Sequence, residues 1–148
     1  MKRKMALTFT FLLAVACYIF AQQTDPESDF QASASIGMNE LVEIQGYVGN
    51  KTEVRIPQRI KNTAVVQIGA GAFRGKNIAS VTIPNSIVYI GAWAFADNQL
   101  TSITIGAHVS LAAGRNPSFD NGFDAFYNSN GQKAGTYTFS NRRWRFSN

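Results

Sequence analysis

Along this chain, apolar side chains recur in short alternating runs rather than at helical intervals. Val81-Thr82-Ile83 and Ile103-Thr104-Ile105 each set a polar residue between two branched apolar ones, and Val54-Arg55-Ile56 does the same. That period belongs to a half-buried strand. Pro57, Pro84 and Gly106 close these runs, as expected because proline cannot donate to a continuing ladder. A second pattern follows each run. Ile68-Gly69 precedes Ala72-Phe73, and Ile90-Gly91 precedes Ala94-Phe95. The Ile-Gly pair turns the chain, and the small-large pair drives back into a core.

The two patterns repeat together. Ile78, Ser80, Val81, Thr82 and Ile83 match Leu100, Ser102, Ile103, Thr104 and Ile105 at a spacing of 22 residues, and the Ile-Gly and Ala-Phe pairs share that spacing. Upstream, Glu53–Pro57 aligns with Ser80–Pro84 at 27 residues, which puts a five-residue expansion between Gln58 and Val66. Ala125-Phe126 reads as the Ala-Phe pair of a last unit, displaced by roughly nine residues, an insertion that suits a loop on one face of a stack. One such unit cannot bury its apolar side alone, so units must stack and each must cover its neighbour. The ends need caps. Asp29–Ser35 and Leu41–Tyr47 read as strands before the repeats. Thr136–Phe139 and Arg143–Phe146 read as a hairpin after them, with Tyr137, Phe139, Trp144 and Phe146 on one face.

The string Ile83-Pro84-Asn85-Ser86-Ile87-x-x-Ile90-Gly91-x-x-Ala94-Phe95 resembles the BspA-type, or treponemal-type, bacterial surface leucine-rich repeat. The resemblance extends from about Glu43 to Phe126, and Phe126–Tyr137 is similar to the tails of short spirochaete members. It implies a curved solenoid with strands on one face, placement at the cell surface or outside the cell, and roles in binding host matrix or other cells. The expected fold class is therefore mainly β: a short right-handed leucine-rich-repeat solenoid with β-strand caps at both ends. The expected division is a signal peptide over residues 1–21, a flexible leader over 22–28, an N-terminal β cap over 29–51, repeats over 52–126 and a C-terminal hairpin cap over 127–148.

The first residues change how the charge is read. Met1-Lys2-Arg3-Lys4 is a basic head, Met5–Phe20 carries no charge, and Gln22-Gln23-Thr24-Asp25 is abruptly polar. A basic head, a short apolar core and a small residue before a polar stretch describe a secretory signal peptide, and the apolar run is shorter than the ~20 residues of a spanning helix. Cleavage after Ala21 is one reading. Leu13-Ala14-Val15-Ala16-Cys17 resembles a loose lipobox and offers the other, with Cys17 lipidated. With the basic head removed, 14 basic residues become 11 against 9 acidic, and a net charge of +5 falls to +2. The basic balance of the full chain thus implies no nucleic-acid partner. Membrane association is expected only through Cys17. That cysteine is the sole one in the chain, so the fold must be held by packing alone.

Candidate chemistry is sparse. His108 is the only histidine. A triad would have to combine it with Ser110 or Ser118 and Asp120 or Asp124, and no Gly-x-Ser-x-Gly surrounds these serines. Asp120-Asn121-Gly122-Phe123-Asp124 lacks the acidic positions and terminal Glu of a calcium loop, so loop capping is its expected role. Gly69-Ala70-Gly71-Ala72 has no phosphate-loop lysine. The expectation is a non-enzyme with no cofactor and no metal, secreted, periplasmic or displayed on the cell surface.

Binding surfaces are the remaining prospect. The outward residues of the strands are Arg55, Thr82 and Thr104, flanked by Glu53, Ser80 and Ser102, and the exposed strand face is the default binding face of a solenoid. Short hydroxyl residues also simply suit a solvated sheet. Tyr89 and Trp93 occupy the positions of Gln67 and Gly71 in the preceding unit. Exposed, they suit contact with protein or sugar; turned inward, they are core. Arg142, Arg143 and Arg145 beside Trp144 either grip an anionic surface or guard an edge strand against pairing. The expected partner is an extracellular protein or glycan. The alternative is a structural envelope component that self-associates through an open stack end.

Overall fold

The computed structural model describes residues 24–35 and 41–147. The stretch over residues 1–21 expected to be a signal peptide, and Cys17 within it, lie outside the described residues. The chain folds as a mainly β solenoid whose coils line two sheets. One sheet has five strands in the order β11-β10-β8-β6-β3: β11 (Arg143–Ser147), β10 (Gly135–Ser140), β8 (Ser102–Ile105), β6 (Ser80–Thr82) and β3 (Glu53–Arg55). The other has six, running β1 (Phe30–Ser35), β2 (Leu41–Tyr47), β5 (Thr63–Ile68), β7 (Tyr89–Ile90) and β9 (Ser110–Leu111), with β4 (Arg59–Ile60) paired to β5. The repeat strands pair in parallel in the register that the spacing predicts: Val54 with Val81 and Ile103, and Arg55 with Thr82 and Thr104.

The alternation of the sequence becomes the alternation of burial. Val54, Val81 and Ile103 are buried in a row, as are Ile56, Ile83 and Ile105. The Ile-Gly turns form the opposite wall, with Ile68 and Ile90 fully buried. Gly91 is required there, because a Cβ would lie 2.7 Å from the Ala70 amide nitrogen and 2.9 Å from the Gly69 carbonyl carbon. The coils can approach this closely only without a side chain.

Between the walls runs an aromatic ladder. Phe73 stacks on Phe95 and Phe95 on Phe119, each at a 4.8 Å centroid distance and with rings within 10° of parallel. Tyr47 extends the ladder at one end, 5.4 Å from Phe73. Phe123 closes it edge-on at the other. The rung after Phe95 is therefore Phe119, and the reading of Ala125-Phe126 as the last Ala-Phe pair is corrected. Phe95 N–H donates to the Ser118 carbonyl, as Phe73 N–H donates to that of Ala94. Ser118 thus takes the small-residue position, and the insertion is two residues, not nine. Phe126 instead lies on α1 (Phe123–Ser129), a helix outside the alternating pattern, and meets Tyr137 edge-on.

The caps are built as expected in outline. β1 pairs antiparallel with β2, and β10 with β11. Tyr137 faces Phe146 and Phe139 faces Trp144 across the hairpin, which gives one aromatic face against the stack. The stretch read as a leader differs over its last residues. Asp25 is buried and lies along β3: its amide donates to the Arg55 carbonyl, and its carboxylate accepts from the Arg55 amide and from Lys51. One residue thereby occupies the edge of the five-stranded sheet, a standard protection of an otherwise open edge.

Candidate functional site

The outer face of the five-stranded sheet is a field of hydroxyls. Residues opposite one another in register place Arg55, Thr82, Thr104 and Thr136 in one row, and Glu53, Ser80, Ser102, Thr138 and Arg145 in the next. The Thr104 and Thr136 hydroxyls are hydrogen-bonded at 2.9 Å. The rows predicted from the repeats are thus brought together and then prolonged by the cap hairpin. That prolongation was not read from the sequence, since nothing in an isolated Thr-Tyr-Thr-Phe reveals which strand it joins. No aromatic ring stands outward in these rows.

Tyr89 and Trp93 lie on the other side of the coil, in and just after β7. Both face solvent, at 39% and 41% exposure, which settles the choice between surface and core. Tyr89 sits in register with Gln67 and Ser110. Trp93 is the more unusual. Its backbone is left-handed, with φ 53°, at the repeat position where Gly71 has φ 67°. A bulky residue pays for that conformation where glycine does not. Arg74 lies over the indole at 5.4 Å, and its guanidinium is in turn held by Asp97 at 2.7 Å.

Two of the residues weighed for catalysis, Ser118 and Asp124, have side chains engaged in the fold. Ser118 is fully buried; its hydroxyl donates to the Ile90 carbonyl and accepts from the Ala112 amide. Asp124 accepts from the amides of Ser118 and Phe119, and so caps the loop that begins the last rung. Burial pushes its carboxyl up to about 6, against the lowering effect of those amides. His108 is exposed in a left-handed turn and donates its amide to the Gln132 carbonyl. Asp120 accepts from the Asp97 amide. Among the described residues, no three His, Cys, Asp or Glu side chains are grouped so as to hold a metal ion.

One polar residue carries more than its neighbours and was not singled out from the sequence. Asn98 donates to the carbonyls of Phe73, Phe95 and Ala96 and accepts from the amides of Lys76 and Ile78. It ties two coils where the ladder turns toward the strand. The signal available was Asn following Phe-Ala-Asp, a partner of the Phe119-Asp120-Asn121 string that also marks the true last rung.

Comparison with known proteins agrees with this architecture. The chain is similar over 58% of its length to a leucine-rich repeat protein of T. pallidum, with 26% identity, a TM-score of 0.52 and 44% of that chain covered. It is also similar to a leucine-rich cell surface protein of Faecalibacterium prausnitzii, with 24% identity, a TM-score of 0.48 and 58% and 24% of the two chains covered. The chain therefore spans less than half the length of either relative. No curated protein sequence matches it. The model of the BspA-type leucine-rich repeat region matches residues 47–144 in six copies, and with the ladder and strand register in place, the chain belongs to the BspA-type leucine-rich repeat family.

Proposed function

We propose that this chain is an exported, non-catalytic interaction module that engages an extracellular protein or glycan, with Trp93 as its anchor and Tyr89 beside it in sequence. The observation that carries this reading is Trp93 itself. A large aromatic stands exposed on left-handed backbone at a repeat position that glycine fills in the preceding coil. The backbone conformation alone favours glycine there, and strained positions of this kind concentrate at functional sites. Its guanidinium neighbour is fixed by Asp97, so the indole and a cation are presented in a set geometry. Tryptophan, tyrosine and arginine are the residue types enriched among the few that dominate binding.

Export is supported by the basic head and apolar run that end at Ala21. Lipidation at Cys17 would tether the same module to a membrane. The intact mass of the exported protein separates these outcomes. The binding test is a screen of purified matrix proteins and glycans against the wild-type chain and Trp93→Ala. Loss of a specific interaction in the variant, with its circular dichroism unchanged, is the expected result. A ligand bound equally by both proteins would remove Trp93 from the reading.

A further inference from the structure

We propose that the C-terminal end of the five-stranded sheet is a binding surface for an anionic polysaccharide, separate from Trp93. The sequence changes character at this end. After Asp124 the chain has four basic residues, Lys133, Arg142, Arg143 and Arg145, and no acidic one. All four are exposed, and neither ion pair among the described residues involves them. Arg143 and Arg145 are two apart on β11, so they share a face at roughly 6.6 Å along the strand. Trp144 between them is buried and paired with Phe139, which fixes the arginines on the outward side.

That side is continuous with the hydroxyl rows. Arg143 stands opposite Ser140 and Arg145 opposite Thr138. The surface therefore joins outward-facing cations, of which Arg145 is hydrogen-bonded to the Ser140 hydroxyl at 3.3 Å, to a field of short donors and acceptors. Arginine forks suit sulfate and carboxylate groups, and the hydroxyls suit the polar edges of the sugars that carry them. The other polyanions fit less well. Among the described residues, the large exposed apolar ones, Leu41, Val48, Val88, Tyr89 and Trp93, all lie in other parts of the chain, so the described part of this end offers no large apolar side chain to a bilayer. It also lacks the exposed rings on which nucleic-acid bases stack. A second copy is disfavoured because two such edges would meet with like charge.

The test uses heparin oligosaccharides as the probe, with the full exported chain. Wild type binds, and binding weakens as salt rises. Arg143→Ala/Arg145→Ala weakens it by about tenfold or more, and Thr138→Val by about threefold with charge unchanged. Lys76→Ala/Arg115→Ala, which removes the same charge elsewhere, leaves it unchanged, as does Trp93→Ala. Circular dichroism confirms that each variant is folded. An equal loss in the Lys76/Arg115 variant overturns the proposal. So does wild-type affinity in Thr138→Val, or equal binding to phosphatidylglycerol vesicles or to duplex DNA of matched charge.

Discussion

Replacing Trp93 with alanine and with glycine separates the structural from the functional demand at one position. Both variants lose the same ring. The indole is 41% exposed, so roughly three-fifths of a ~150–250 Å² side chain leaves its contacts, worth about 2–4 kcal/mol at ~25 cal/mol per Å². Loss of the Arg74 contact adds about 0.5–1 kcal/mol. The variants then diverge. At φ 53° the alanine Cβ retains a left-handed penalty of about 1–2 kcal/mol. Glycine has none, but gives back about 0.5–1 kcal/mol through the greater freedom of its unfolded chain. Trp93→Gly should therefore be more stable than Trp93→Ala by roughly 0.5–1 kcal/mol, the reverse of the usual order. Urea unfolding followed by circular dichroism reads the difference as a shift in midpoint at constant slope. The neighbouring pair, wild type and Ala92→Gly, supplies the ordinary order, since Ala92 is not among the positive-φ residues. If Trp93→Ala is as stable as Trp93→Gly, position 93 is not strained and the case for a functional tryptophan fails. Ligand binding should be lost equally in both.

Three further outcomes follow from the packing. Phe95→Ala removes a ring stacked on both sides and should cost about 3–5 kcal/mol, a large share of the ~5–15 kcal/mol of a typical domain; thermal unfolding should move sharply down or vanish. Asn98→Ala leaves carbonyls and amides of two coils without partners and should cost about 2–4 kcal/mol, measurable by the same denaturation. Asp124 holds its proton up to about pH 6 when folded but releases it near its ordinary value when unfolded, so its contribution to stability falls as pH rises between about 4 and 6. Asp124→Asn lacks that loss, and its stability relative to wild type should rise across this interval; a relative stability that falls from acid to neutral pH would contradict the burial argument.

The interior of the fold was legible because its positions repeat. Val81 and Ile103 announce their strands by alternation, and Phe73 and Phe95 announce the ladder by spacing. Legibility ended where one residue type stood in for another. Ser118 replaces alanine at the small position because its hydroxyl, once buried, finds the Ile90 carbonyl and the Ala112 amide. A pattern keyed on Ala-Phe therefore passed over Ser118-Phe119 and chose Ala125-Phe126. The α1 helix escaped notice for a different reason: with only seven residues, it is too short to show a helical period. Asp25 was invisible because an edge cap depends on where the chain returns in space. For the candidate surface, sequence identified Tyr89 and Trp93 as variable positions, but their exposure and the left-handed backbone of Trp93 are tertiary facts.

The size of the display surface also depends on the caps. Three repeat strands alone, β3, β6 and β8, form a narrow face, since neighbouring strands lie only about 4.8 Å apart. The hairpin changes this by pairing β10 antiparallel with β8, with Thr136 against Thr104 and Thr138 against Ser102. A cap that merely covered the core would need only its aromatic side, Tyr137 and Trp144. Here the same strands carry Thr136, Thr138, Arg143 and Arg145 outward in register with the repeats. The alternation that buries one side of the hairpin necessarily presents the other. The end of the stack, where solenoids ordinarily stop displaying and start closing, thus does both, and it adds the cations that the repeat strands β6 and β8 lack.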